Sequence, residues 1–299
     1  MDNKKNNKKY YQLIAGGLII SFSPVVVKLI SAGALTTAFY RVFVSALALL
    51  LICFFKKDRI YPGLKILLIC AAGALFFALD LCFWHASIDF IGPGLATILG
   101  NFQVFFMAVI GILLFREKLS WQFLISLPLA MAGIILLCGL KWDEFSPDYK
   151  TGILYGFITA VCYTGYILVL RQAQLGETKV DSRVIMLWIS VFSSIILFLF
   201  CLFIGESLII NSINDGFLLT FYGLLFQTAG WLIISNALPL VPASRAGLIL
   251  LIQPALSLVW DIVFFKRPTS VLELSGAVLA LIAIYLGSYR KKKKVLETD

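Results

Sequence analysis

Ile98-Leu99-Gly100-Asn101-Phe102-Gln103-Val104 returns 150 residues later as Leu248-Ile249-Leu250-Leu251-Ile252-Gln253-Pro254. At the same offset Leu114-Phe115-Arg116 pairs with Phe264-Phe265-Lys266, Ser120 with Ser270, Ser126 with Gly276 and Gly133 with Ala283. Two apolar segments match at many positions by chance. A shared glutamine, a shared aromatic-basic end and shared small residues are a stronger sign that the chain contains one unit twice. Both copies of the glutamine sit inside long apolar runs, so the fold turns on what those runs are.

The 299 residues are 61% hydrophobic and 14% charged, with a mean hydropathy of +0.96. A soluble domain is about half apolar and about a quarter charged. An excess of this size cannot be hidden in one core, so the outer surface is apolar and its solvent is lipid. A helix needs about 20 apolar residues to cross the hydrocarbon layer. Ten runs qualify, near 11–30, 35–55, 64–85, 92–114, 120–140, 152–171, 184–204, 217–237, 243–265 and 270–289. They lack the alternation of barrel strands. Short connections with end signals separate them, among them Lys56-Lys57-Asp58-Arg59, Gly92-Pro93-Gly94 and Arg267-Pro268. The first run has a basic start at Lys4–Lys9, but it is too long for a signal core and lacks a small-residue cleavage site, so it reads as a retained helix.

The expected fold is therefore an all-α membrane protein with ten transmembrane helices. The offset of 150 divides it into residues 1–145 and 146–299, five helices each. Five is odd, so the second half enters from the opposite side and the repeat is inverted. Inverted repeats place the substrate of many secondary transporters near mid-membrane, where the halves meet.

Lysine and arginine placement sets the orientation. With the N-terminus inside, nineteen fall in inner segments and four (Lys141, Lys150, Lys266 and Arg267) in outer ones, which predicts both termini in the cytoplasm. The net charge of +9 is spread in short clusters between apolar runs, so a nucleic-acid role is excluded. Arg245 reads as a lipid or loop contact, and the tail Arg290–Lys294 as an electrostatic anchor. The six cysteines lie inside apolar runs without a CxxC pair, and His85 is the only histidine, so no metal site, cofactor or catalytic constellation is expected.

Polar residues in the spans are the candidate site. Gln103 and Gln253 lie near mid-span at equivalent positions, where an amide needs a partner or water. They would line a central cavity or tie the halves together. Ser21, Ser23, Tyr163, Thr164, Tyr166, Gln227 and Trp231 are also near mid-span. Ser23, Tyr163, Tyr166, Gln227 and Trp231 join the two glutamines as substrate-binding candidates. Lys28, Arg41, Asp80, Asp261 and Glu273 map to the outer halves of their helices and would face one another or a water-filled vestibule. Among them Asp80, Arg41, Lys28 and Asp261 are candidates for gating or coupling, with proton coupling through Asp80 as one role. Gly152 and Gly156 have the spacing of close helix packing.

Several stretches resemble the drug/metabolite transporter superfamily, EamA type. Phe22-Ser23-Pro24-Val25-Val26-Val27-Lys28 looks like its first-helix pattern, and Arg41 like its second-helix arginine. Ala86–Ser120, ending Leu114-Phe115-Arg116-Glu117-Lys118-Leu119-Ser120, resembles its fourth helix and closing acidic signature. Arg267 stands where that signature would recur in the second half, and Ser23-Pro24 stands where a Gly-Ser or Gly-Asn step is common. The resemblance implies an inner-membrane transporter of small metabolites, often amino acids or related compounds and often exported, working by alternating access as a monomer or homodimer. A membrane scaffold or receptor-like protein is the alternative class.

Overall fold

The computed structural model describes residues 2–103, 105–106, 110, 121–138, 146–175, 180–237, 250, 252–266 and 269–288. Arg245, Arg267, the 114–120 end of the fourth span and the basic tail lie outside the described residues. Helices follow one another along the chain, with no strand among the described residues. They are α1 (Asp2–Ser21), α2 (Ser23–Leu29), α3 (Ala34–Lys56), α4 (Leu64–Ile91), α5 (Pro93–Gly100), α6 (Trp121–Cys138), α7 (Pro147–Leu175) and α8 (Ser182–Ile204). Then come α9 (Ile213–Phe221), a π-helical segment (Tyr222–Gly230), α10 (Trp231–Ala237), α11 (Ile252–Phe265) and α12 (Val271–Ser288). Among the described residues, six stretches are long and apolar enough to cross a membrane (Lys9–Leu29, Ala34–Lys56, Leu64–Ile91, Pro147–Gln174, Ser182–Ile204 and Ile213–Ala237), and shorter apolar helices accompany them. Phe203, Ile213 and Val271 present almost their whole side chains outward, as a lipid-facing surface requires.

The ten-span plan is realised as two inverted five-helix repeats, and the packing carries their two-fold relation. The equivalent pairs α3 with α8, α5 with α11 and α6 with α12 each pack across the two halves. Other contacts come in mirrored sets: α4 on α7 with α1 on α10, α4 on α8 with α3 on the π segment, and α5 on α7 with α1 on α11. Gly133 of α6 lies so close to α12 that a Cβ would come 2.6 Å from the backbone nitrogen of Ala280. Gly152 and Gly156 similarly admit Phe90, Ile91 and Leu99, the close packing their spacing predicted.

The α3–α8 pair repeats its helix ends and several of its hydrogen bonds. Both helices have 23 residues and end in a left-handed cap, Lys57 (φ 54°) and Gly205 (φ 78°). The next amides close both ends alike, Asp58 N–H on the Cys53 carbonyl at 2.9 Å and Glu206 N–H on the Cys201 carbonyl at 3.0 Å. This six-to-one bond satisfies a carbonyl the helix end leaves free. Each acid then reaches the start of the partner helix. Glu206 Oε1 accepts from Thr36 N–H at 2.7 Å, and Asp58 Oδ1 accepts from Arg183 at 3.0 Å. Each partner helix returns an aromatic donor: Tyr40 O–H to the Leu208 carbonyl at 2.9 Å, and Trp188 N–H to the Ile60 carbonyl at 2.8 Å. These equivalences span 148 residues, apart from Thr36 and Arg183 at 147, against 150 at the two glutamines. The second half therefore gains two residues between these points.

Three spans are interrupted, where the sequence predicts unbroken helices. The first breaks at Phe22, because Pro24 lacks the N–H needed to continue the ladder. The fourth leaves helical form at Asn101–Phe102, where Asn101 turns its side-chain amide back onto the Thr97 carbonyl at 2.8 Å. The eighth widens into the π-helical Tyr222–Gly230, in which the Thr228 side-chain hydroxyl also donates to the Gly223 carbonyl at 2.9 Å.

Candidate functional site

The interruptions surround one cavity. Ile20, Ser23 and Pro24 reach it from the first span, and Arg41 from α3. Phe77, Asp80, Leu81 and Trp84 come from α4, and Thr97, Gly100 and Asn101 from the fourth-span break. Thr159 and Tyr163 of α7, Trp231 of α10 and Gln253 of α11 close it from the other half. The cavity these side chains leave is small, about 70 Å³. Irregular backbone at membrane depth is tolerated where it is buried in protein or lines a cavity, which accounts for the placement of the breaks.

Arg41 organises the polar side of this space. It is 4% exposed. Nε donates to Gln227 Oε1 at 2.7 Å, and one terminal nitrogen donates to the Tyr222 hydroxyl at 2.7 Å. The guanidinium also lies 4.9, 5.7 and 5.9 Å from the ring centres of Tyr222, Trp84 and Phe77. Ring faces attract a cation, so the planar group is held on several sides. The network continues into α4. His85 Nδ1 lies 2.6 Å from the Leu81 carbonyl, and Nε2 lies 3.0 Å from the Tyr222 hydroxyl. A carbonyl only accepts, so Nδ1 carries the ring proton, and Nε2 in the neutral ring accepts from Tyr222. Tyr222 thus accepts a hydrogen bond from Arg41 and donates one to His85. The π-helical turn of the eighth span places both Tyr222 and Gln227 against Arg41, and Gly223 allows it, since a Cβ there would come 2.6 Å from Val44.

Asp80 faces the same cavity from α4 and is 7% exposed. Among the described residues its carboxylate makes no hydrogen bond and no ion pair. Arg41 acts on it through space. The cavity thus presents a fixed cation and an acid that are not bonded to each other.

Aromatic rings form the remaining wall. Phe77 stacks on Tyr166 at 4.4 Å, and Trp231 meets Tyr166 edge-on at 5.3 Å and Tyr163 at 6.1 Å. Among the described residues, the indole nitrogen of Trp231 and the hydroxyl of Thr159 are buried without a hydrogen-bond partner.

Among the predicted residues, Ser23, Arg41, Asp80, Tyr163, Trp231 and Gln253 line the cavity together. Gln227 holds Arg41 from behind, and Tyr166 backs the aromatic wall, its hydroxyl 3.8 Å from Met186 Sδ. The two expected groups, substrate-binding and gating, therefore merge at Arg41 and Asp80.

Other candidates fall elsewhere. Gln103 is buried beside α7, where its backbone carbonyl accepts from Thr164 at 3.4 Å, and its side-chain oxygen has no partner among the described residues. Asp261 accepts from Gly94 N–H at 3.0 Å, at the start of α5. Lys28 is exposed at the end of α2. Glu273 and Ser270 exchange bonds at 2.7 and 3.1 Å, a capping box that opens α12. Ser21 donates to Leu18 O at 2.7 Å and accepts from Trp260, so it serves packing. Sequence reasoning missed Tyr222, Trp84, Phe77 and Asn101. Three are aromatics in apolar runs with no signal to set them apart, whereas Asn101, an amide beside Gln103, did carry one.

Comparison with known proteins places this architecture. The sequence matches the EamA-like transporter family over residues 7–139 and again over 150–289. An uncharacterized transporter of Haemophilus influenzae is 28% identical over 140 residues, covering 44% of this chain and 45% of the relative. Another, from Synechocystis, is 27% identical over 223 residues, covering 73% and 65%. A probable sugar phosphate/phosphate translocator of Arabidopsis thaliana is 24% identical, covering 75% and 73%. A solved crystal structure superposes with a TM-score of 0.67 at 13% identity, over 94% of this chain and 98% of the other, a likeness of fold.

Proposed function

We propose that this chain, which belongs to the EamA-like transporter family, is a secondary transporter that carries a small metabolite through the cavity between its halves. It is a multi-pass membrane protein, and the division at 145/146 separates the two moving units. The observation that carries the reading is a cavity bearing both signs of charge, built where three spans lose regular α-helical form and where both halves contribute walls. A scaffold gains nothing from these breaks, which cost backbone hydrogen bonds in lipid.

The substrate class we favour is amino acids or related compounds, exported across the inner membrane with both termini in the cytoplasm. A phosphate ester, named for the Arabidopsis relative, would bring nearly two negative charges beside Asp80. The cavity's single cation would then compensate only part of them. Alternating access follows from the inverted repeat, because exchanging the conformations of two similar halves moves the opening from one face to the other. Proton coupling through Asp80 is a further role, and it makes a distinct prediction: Asp80→Asn transport that keeps the full pH dependence of the wild type would exclude it.

The test is solute flux in proteoliposomes containing only this protein. Uptake or counterflow of an amino acid above protein-free vesicles supports the carrier; no flux with any metabolite pool supports the scaffold.

A further inference from the structure

We infer that the cavity reads its ligand from both ends, Asp80 binding a protonated amine, Arg41 a carboxylate, and the rings around them an apolar side chain. The inference rests on the transporter reading above and specifies what the carried molecule must contain.

The argument begins with the two charges. Asp80 makes no hydrogen bond and no ion pair among the described residues, yet it is more than nine-tenths buried and faces the cavity. A buried carboxylate without a partner is expensive in a membrane protein, so it either holds a proton or pairs with a cation that enters the site, and a ligand ammonium does the latter. Arg41 is fixed by its bonds to Gln227 and Tyr222 and by three ring faces. Those bonds occupy Nε and one terminal nitrogen. The other terminal nitrogen makes no hydrogen bond among the described residues. The fixed guanidinium is therefore a directed donor with capacity left over.

A ligand of one sign would satisfy one pole and be opposed by the other. A simple amine would gain Asp80 but meet the Arg41 charge; a simple carboxylate would gain Arg41 but meet Asp80. A zwitterion pairs both at once. The walls supply the rest of the description: Phe77, Trp84, Tyr163 and Trp231 offer ring surface, with Trp231 contributing one unpartnered N–H. That surface favours an apolar side chain over a charged or sugar-like one.

The experiment pairs deletions on the ligand with a deletion on the protein. L-leucine and L-phenylalanine are each compared with their decarboxylated amines and their deaminated acids, by thermal shift of the purified full chain and by competition against flux. For the wild type, each amino acid binds roughly tenfold or more tightly than either of its one-ended analogues. In Asp80→Asn, the amino acid weakens to the level of the deaminated acid, while the deaminated acid itself loses nothing. Because Arg41 also holds the fold, its arm is read from the wild-type preference for the amino acid over the amine, and from Arg41→Lys, which keeps the charge and part of that preference. The inference falls if Asp80→Asn binds the amino acids as tightly as the wild type, or if it weakens all three ligand types equally. It also falls if none of the six compounds acts on a wild-type protein that transports some other solute, an outcome that leaves the transporter reading standing. Absence of any flux overturns the transporter reading itself.

Discussion

At the α3–α8 pair the halves repeat their helix ends and several of their hydrogen bonds, whereas in the third and eighth spans they diverge. Asp58 and Glu206 follow identical caps and reach the starts of each other's helices, and Tyr40 and Trp188 return equivalent bonds. By contrast, α4 is α-helical from Leu64 to Ile91 and delivers Asp80, while the eighth span turns π-helical and delivers Tyr222 and Gln227 to Arg41. Arg41 itself has no twin: 148 residues on, α8 carries the buried Ile189. Packing meets the same demands in both halves, so it repeats. The ligand proposed above, with two unlike ends, has no two-fold axis, and the cavity departs from the repeat where the charges are. π-helical turns are rare and concentrate at functional sites, in keeping with this division.

The comparison is broken most forcefully by exchanging the asymmetric residue. Arg41→Leu makes α3 resemble α8, removes two charge-assisted hydrogen bonds and leaves Asp80 without a compensating charge. The expected outcome is loss of flux together with a fall in stability of about 3 kcal/mol or more, measured by thermal unfolding in detergent. Ile189→Val, at the mirrored position, costs about 1 kcal/mol and leaves flux intact. Equal damage at the two positions would remove the distinction between site and frame.

Tyr222→Phe is the next largest effect. It strips one oxygen that accepts from Arg41 and donates to His85, both buried groups. Flux should fall severalfold, with about 1–3 kcal/mol lost from stability. His85→Gln should do less, because it takes from Tyr222 only the acceptor for its proton. A flux loss in His85→Gln larger than that in Tyr222→Phe would contradict the direction of the chain.

The smallest effects belong to the clasps. Tyr40→Phe and Trp188→Phe each remove one hydrogen bond to a backbone carbonyl, at a cost of about 1 kcal/mol. Trp188→Phe should cost somewhat more, because it also gives up indole packing against Phe192, and both should leave ligand preference unchanged in the competition assay. A shift in preference from either one would show that the clasps belong to the site.

Much of this was legible in the residues. Apolar run lengths gave the membrane class and the span count, and the glutamine pair gave the repeat. A charge or amide inside an apolar run is conspicuous, so Arg41, Asp80, Ser23, Gln227 and Gln253 were found before their neighbours were known. What stayed hidden has a common physical cause. In a span that is apolar all round, periodicity does not show which face meets lipid and which meets a cavity. Trp84, Phe77 and Tyr222 therefore look like any other membrane aromatics, and Gln103 looks equivalent to Gln253 although only Gln253 lines the cavity. The same uniformity conceals the break at Asn101–Phe102, which depends on one side chain folding back on its own helix. The outermost charges misled for a different reason: Asp261 and Glu273 serve helix starts, a local use that sequence depth does not distinguish from a gate.

The central claim is that solute crosses through the cavity shared by Asp80 and Arg41. Counterflow of radiolabelled L-leucine into proteoliposomes, comparing wild type with Asp80→Asn at equal reconstituted and folded amounts, tests it most directly. The account predicts robust counterflow in the wild type and its near-complete loss in the variant. Undiminished counterflow in Asp80→Asn would place the route elsewhere and contradict it.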